Sequence, residues 1–269
     1  MDVLGAEDCA LAKSMVLNTL AAMDKGGIHD HIGHGFARYS VTRDWSLPHF
    51  EKMLYDQAQL LSVYLDAYLL TRSPDHLSVV HDIAAYLTSP PLQAKHGGFF
   101  SSEDADSFYR PTEQERREGA FYVWTLQEFR EVLGEQDADI LARYYHVKDE
   151  GNVSPRHDAH DEFINQNVLA IAASPSDLAK EFGLSEEEVH RILSSGRQRL
   201  LDHRGPPGRG RPSTTKSSSL GMGLRLARSL APRPRSPRKT LHGHRGTSRR
   251  PRQRPRSSKK SFTMQAPAR

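Results

Sequence analysis

All 33 acidic residues of this 269-residue chain lie at or before Asp202, and that boundary decides which part of it can fold. Residues 1–202 hold 18 of the 37 basic residues and carry a net charge of −15; residues 203–269 hold the other 19 and carry +19. The overall +4 describes neither part. From His203 onward there is no Val, Ile, Tyr, Trp, Asn or Cys, and nine of the 16 prolines are found there. Arg-Pro-Ser-Gly sequence of one charge sign cannot bury enough apolar surface to offset the entropy of ordering, so residues 204–269 are expected to be a disordered tail. Its RR, RPR and KK clusters suit phosphate neutralisation, so the only nucleic-acid contact expected is non-specific and through the tail.

Residues 1–203 are the part that can hold a core. The single cysteine, Cys9, excludes an intramolecular disulfide framework and a Cys-rich zinc module. Mean hydropathy is −0.64, and no run approaches the roughly 20 apolar residues a membrane-spanning helix needs. The start, MDVLGAEDCALAKSMVL, lacks the basic region of a signal peptide. A soluble, cytoplasmic body without membrane contact is expected.

Apolar periodicity predicts helices over 7–24, 49–70, 75–88, 126–134, 137–146, 176–182 and 185–203. EGAFYVWT, residues 118–125, is aromatic and β-branched and reads as a strand. Gly26-Gly27 ends the first helix. Pro48 is placed at the start of the second, where a missing N–H costs nothing. Paired short helices with long polar loops between alternate ones give an all-α array of hairpins. On the helix 49–70, Phe50, Met53, Leu54, Leu60, Leu61, Tyr64, Leu65 and Tyr68 form one broad stripe, with Gln57 near its middle and His49 and Asp56 on one border. Such an amide either faces a polar cavity or bonds to loop backbone.

Several clusters have residue types that carry chemistry. HDHIGH (His29, Asp30, His31, His34) and HDAHDE (His157, Asp158, His160, Asp161, Glu162) have metal-ligand types, but neither has HExxH spacing and both fall in loops. Solvated or capping side chains are the preferred reading, so no metal or cofactor is expected. Glu103, Asp104 and Asp106 follow a Gly-Gly-Phe-Phe turn, where paired carboxylates suit acid and base work on a sugar or simply cap the next element. Asn152-Val153-Ser154 matches a glycosylation sequon. Residues 178–200 have helix–Gly-turn–helix spacing, yet Glu186, Glu187 and Glu188 stand where a recognition helix would meet phosphates.

The run GGIHDHIGHGFARYSVTRDWSLPHFEKMLYDQAQL, residues 26–60, closely resembles the family of spermatogenesis-associated protein 20 and the bacterial YyaL-type proteins. GGFFSSEDADS, EGAFYVWT, GNVSP and QNVL match it in the same order, and the resemblance spans roughly residues 8–203. It implies a thioredoxin-like domain followed by an (α/α)6 barrel similar to those of six-hairpin glycosidases and N-acylglucosamine 2-epimerases. Kinship to carbohydrate enzymes is fold-level analogy. On that basis residues 1–203 are expected to be a partial (α/α)6 toroid with short β segments, carrying one wall of a cleft for a carbohydrate or small polar ligand. The expected catalytic residues are Asp56, Glu103 and Asp104; the expected substrate-binding residues are His34, Arg38, His49, Tyr55, Gln57 and Asp106. The resemblance also places a redox domain before residue 1 and the rest of the barrel after residue 203, so this chain by itself is expected to be inactive. Residues 211–230 can be written with codons that, read two bases later, spell an LDDK…NGL phrase similar to the family's next segment. Residues from about 205 are therefore expected to be out of frame, which would account for the loss of acidic residues after Asp202.

Overall fold

A computed structural model of the chain describes residues 5–90, 92–94, 97–108, 115–158 and 161–205. The tail expected to be disordered lies, from residue 206, outside the described residues. The described part is mostly helical: α1 (Ala6–Lys25), α2 (Leu54–Thr71), α3 (Pro74–Leu87), α4 (Leu126–Leu133), α5 (Glu135–Tyr145), α6 (Pro175–Phe182) and α7 (Glu186–Arg204). Three antiparallel pairs of two-residue strands pin the loops. They join β1 (Tyr39–Ser40) to β2 (Pro48–His49), β3 (Lys52–Met53) to β4 (Ser102–Glu103), and β5 (Asp106–Ser107) to β6 (Arg117–Glu118).

Local sequence explains most helix ends. Thr125 with Glu128, and Ser185 with Glu188, close reciprocal capping boxes on α4 and α7. Ser174 accepts from the Asp177 amide and Pro175 opens α6. Arg72, in the left-handed region at φ 58°, ends α2, and Pro74 starts α3 two residues later, so the chain folds straight back into a hairpin.

Two expected elements differ. The helix expected from His49 begins at Leu54, because residues 48–53 are held by partners distant in sequence. Tyr39 and Ser40 pair with His49 and Pro48, Glu103 pairs with Lys52, and the Leu54 amide bonds to the Ser101 carbonyl at 2.9 Å. His49 and Asp56 therefore share no helical border. EGAFYVWT is not a strand over its length. Only Glu118 of it is paired in β6; Gly119, at φ +71°, turns the chain, and its carbonyl accepts from the Tyr122 amide at 2.7 Å. The aromatic and β-branched composition serves burial, since Tyr122, Val123 and Trp124 are all buried.

Apolar side chains gather in three clusters. Leu20, Phe36, Leu54, Leu61, Tyr64 and Ile83 close the α1–α3 side. Phe129, Leu141, Leu178, Val189, Ile192 and Leu200 close the α4–α7 side. Leu47, Phe50, Tyr122, Val123 and Val168 bind the long loops together. In α7, the would-be recognition helix, Gly196 lets the Leu141 side chain lie against the backbone; a Cβ there would stand 2.7 Å from it. The buried face of that helix is thus spent on core. Apolar surface is left on α1, where Leu11 and Met15 are each 62% exposed, and on α2 at Val63, Leu69 and Leu70. Among the described residues no helix is long and apolar enough to cross a membrane.

Candidate functional site

The Gly/His-rich loop after α1 is built on backbone contacts that only small residues permit. A Cβ on Gly27 would lie 2.1 Å from the Ser46 carbonyl oxygen. In this loop His29 and His31 are buried, Asp30 turns to interior partners, and His34 is partly exposed. His31 Nε2 meets the Gly26 carbonyl at 3.0 Å; burial, reinforced by the charge on His29, pushes its pKa down to about 3 and keeps it neutral. His29 bridges the Asp24 carbonyl and Asp82 Oδ2, both at 3.0 Å. Burial opposes its charge, but Asp82 and the hydrogen bonds to Asp24 and Asp82 outweigh this and raise its pKa to about 10.

Asp82 is the hub of that arrangement. It also accepts from His34 Nδ1 at 2.6 Å, from the Gly35 amide at 2.8 Å and from Arg197 Nη2 at 3.0 Å. Burial opposes ionisation of Asp82, yet the imidazolium of His29 and the hydrogen bonds hold its carboxyl well below the usual range. A second hub is Asp30, whose carboxylate takes Lys52 Nζ at 2.8 Å and both Nη atoms of Arg204 at 2.9 and 3.0 Å. Lys52 in turn donates to the His34 carbonyl at 2.7 Å and lies 4.7 Å from the centre of the Tyr86 ring. Arg204 is the last residue of α7, so this hub ties the end of the described fold to its first loop.

The expected site residues divide between this interior and one outer rim. Gln57 is wholly buried, and its amide donates to the Phe36 carbonyl and accepts from the Phe36 amide at 3.0 Å. It thus mimics a strand neighbour for the loop backbone. Glu103 turns inward, where the Tyr86 and Tyr122 hydroxyls donate to it at 2.8 and 3.0 Å. His34 joins the Asp82 hub. Gln57 and Glu103 are buried supports, while His34 is partly exposed.

Arg38, His49, Tyr55 and Asp56 share the rim. Arg38 Nη1 meets Glu51 Oε2 at 2.9 Å, and its amide bonds to the Glu51 carbonyl at 2.7 Å. His49 Nδ1 lies 2.6 Å from Glu118 Oε1, Tyr39 stacks on its ring at 4.9 Å, and its Nε2 stands 4.0 Å from Glu51 Oε2. Asp56, in the first turn of α2, has a buried Oδ2 with no hydrogen-bond partner among the described residues. Burial pushes its pKa up and Glu51 adds to this, with Arg38 opposing. Asp106 faces Glu118 across the β5–β6 pair. Its amide bonds to Asp104 Oδ1 at 3.3 Å, and Arg116 Nη1 stands 4.0 Å from Asp104 Oδ2. The strand pairs thus carry the rim from Arg38 to Asp104. Chemically, it joins a carboxyl whose pKa is raised by burial to a carboxylate–imidazole pair, which suits hydrogen bonding with hydroxyl groups.

Sequence reading missed Glu51 and Glu118. Glu51 is two residues from His49, a separation that puts both on one side of an extended chain once the helical reading is set aside. Glu118 is 69 residues away and left no local signal.

The remaining motif residues are structural. Asn167 of QNVL donates to the Trp124 and Lys148 carbonyls at 3.1 and 2.9 Å. Asn152 of GNVSP donates to the His146 and Val168 carbonyls at 3.0 and 2.8 Å, so the sequon amide is occupied in the fold. Asp158 of HDAHDE caps the Glu162 and Phe163 amides at 2.8 and 2.9 Å, while His160 lies outside the described residues.

No family model matches the chain. Spermatogenesis-associated protein 20 of Homo sapiens is 41% identical over 209 residues, which cover 74% of this chain and 26% of that protein. The Mus musculus protein of the same name is 39% identical with the same coverage. An uncharacterised protein of Caenorhabditis elegans is 40% identical over 198 residues, 71% of this chain and 27% of its own. The chain spans about a quarter of the length of these curated relatives. Over roughly three quarters of its own length, this chain is a homologue of the spermatogenesis-associated protein 20 proteins, the family its motifs resemble.

Proposed function

We propose that the rim formed by Arg38, His49, Tyr55 and Asp56, with Asp104 and Asp106 beyond Glu118, is one wall of a binding site for a small carbohydrate or similar polyhydroxylated ligand. In this reading α1–α7 are part of an (α/α)6 toroid whose remaining walls come from sequence present in the longer relatives. The single observation that carries it is the orphaned Oδ2 of Asp56 beside Arg38 and Glu51. A carboxyl that is partly buried, with its pKa raised by burial and one oxygen short of a partner, is suited to bond a ligand hydroxyl. Asp56 is the acid of the site, Arg38 and Tyr55 hold ligand oxygens, and Glu103, Gln57 and His34 keep the wall in shape from behind.

The test uses a full-length relative and a panel of monosaccharides, uronates and polyols followed by titration calorimetry. The counterpart of Asp56→Asn should abolish binding or turnover while leaving the thermal midpoint where it was. Unchanged binding in that variant, or no binding by the parent to any of the panel, refutes the reading.

A further inference from the structure

Resting on the rim reading above, we propose that Glu118 is a positioning residue that fixes the tautomer of His49, making His49 Nε2 the rim's acceptor for a ligand hydroxyl. The His49 ring is restrained by two partners, one of which is itself anchored to the backbone. An ionised carboxylate can only accept, so at 2.6 Å from Glu118 Oε1 the Nδ1 atom carries the ring proton. The same Glu118 oxygen accepts the Phe50 amide at 3.4 Å, which anchors the carboxylate to the backbone that carries the ring. Tyr39 stacks on the imidazole with an interplanar angle of 18°, and so sets the plane in which Nε2 points.

With the proton on Nδ1, the neutral ring leaves a lone pair on Nε2. That atom makes no hydrogen bond among the described residues, and its side chain is 27% exposed. Glu51 Oε2, at 4.0 Å, is beyond hydrogen-bond reach and is engaged by Arg38 at 2.9 Å. A carboxylate that orients an imidazole through its inner nitrogen so that the outer nitrogen can act is a general device for fixing tautomer and ring orientation. The ligand class follows from the geometry. A lone pair flanked by carboxylates accepts from a neutral hydroxyl and discriminates against an anion arriving at the same atom.

The test is long-range 1H–15N NMR of the histidine rings in the labelled full chain, at a pH where imidazoles are neutral, with His49→Gln used to assign the signal. The expected result is a protonated Nδ1 and an unprotonated Nε2 for His49. Glu118→Ala should shift the proton to Nε2, the form favoured in water, with the folded spectrum otherwise retained. An Nε2-protonated His49 in the unaltered chain overturns the proposal without any variant, and so does a tautomer that Glu118→Ala leaves unchanged. D-glucose then serves as the ligand probe. A shift at Nε2 on its addition to a full-length relative supports both readings. If the tautomer is as expected and D-glucose and D-glucuronate both leave Nε2 unmoved, the positioning role stands and the rim reading falls.

Discussion

Asp30→Ala is the substitution whose cost follows most directly from the geometry. Asp30, Lys52 and Arg204 have side chains only 7%, 3% and 5% exposed, so the usual estimate for a surface ion pair, about 0–1 kcal/mol, does not apply. Removing one member of a buried pair leaves uncompensated charge, which costs about 3–5 kcal/mol. Here Arg204 loses the carboxylate it grips at two points, Lys52 loses one of its partners, and the Ile32 and Gly33 amides lose the oxygen that accepts them at 3.1 and 2.8 Å. We expect a loss of about 4–6 kcal/mol, a large part of the roughly 5–15 kcal/mol that holds a domain together. For a body of this size that lowers the melting point by at least about 8 °C. Lys52→Met should cost clearly less, since the two-point contact between Asp30 and Arg204 survives. Urea unfolding followed by circular dichroism measures both, and Arg204→Met with the double variant completes a cycle. A cost below about 1 kcal/mol for Asp30→Ala, or strict additivity with Arg204→Met, would refute the view that this hub is one coupled buried unit.

Two further outcomes concern titration and backbone geometry. The pKa of His29 is raised from 6.5 to about 10, so its contribution is complete below the unfolded value, near pH 6.5, and is lost as pH rises through 10. Urea midpoints should therefore fall between pH 7 and pH 9, by up to about 1.4 kcal/mol per pH unit, and His29→Gln should flatten that slope. A parent curve that is level over this range argues against a charged His29 paired with Asp82. Gly119→Ala would put a Cβ 2.4 Å from the Phe50 ring at a residue with φ +71°. Strain in the left-handed region alone costs about 1–2 kcal/mol, so a total loss above about 2 kcal/mol is expected by chemical denaturation, and a neutral result would mean that the 119–123 turn is wrongly placed.

Much of the helical layout was legible because its signals are local. Seven helices were expected from apolar spacing, and six begin within about two residues of their expected starts, because Pro74, Thr125, Ser174 and Ser185 act on their own first turns. The exception, the helix expected from His49, shows what local reading lacks. Periodicity favoured continuing the helix back to His49, but Tyr39, Ser40, Glu103 and Ser101 compete for the same backbone, and none of them is nearby in sequence. EGAFYVWT failed for a related reason: β-branched and aromatic residues report a wish to be buried, which a turn against Phe50 satisfies as well as a sheet does.

The candidate site divides along the same line. The sequence by itself determined which residue types stand at which positions. It placed charge and imidazole at Arg38, His49, Asp56 and Glu103–Asp106, and it located the change of polymer at Asp202. Only the tertiary structure decided which way each group faces. Gln57, amid apolar sequence, was compatible with a polar cavity or with a bond to loop backbone, and Glu103 with acid–base work or with capping the next element. The Phe36 backbone and the Tyr86 and Tyr122 hydroxyls claim them. The Glu118–His49 pair joins positions 69 residues apart, and the Asp30–Arg204 pair joins positions 174 apart. Such contacts form because packing brings distant segments together, and burial then turns a weak attraction in water into one strong enough to fix a side chain's direction and charge.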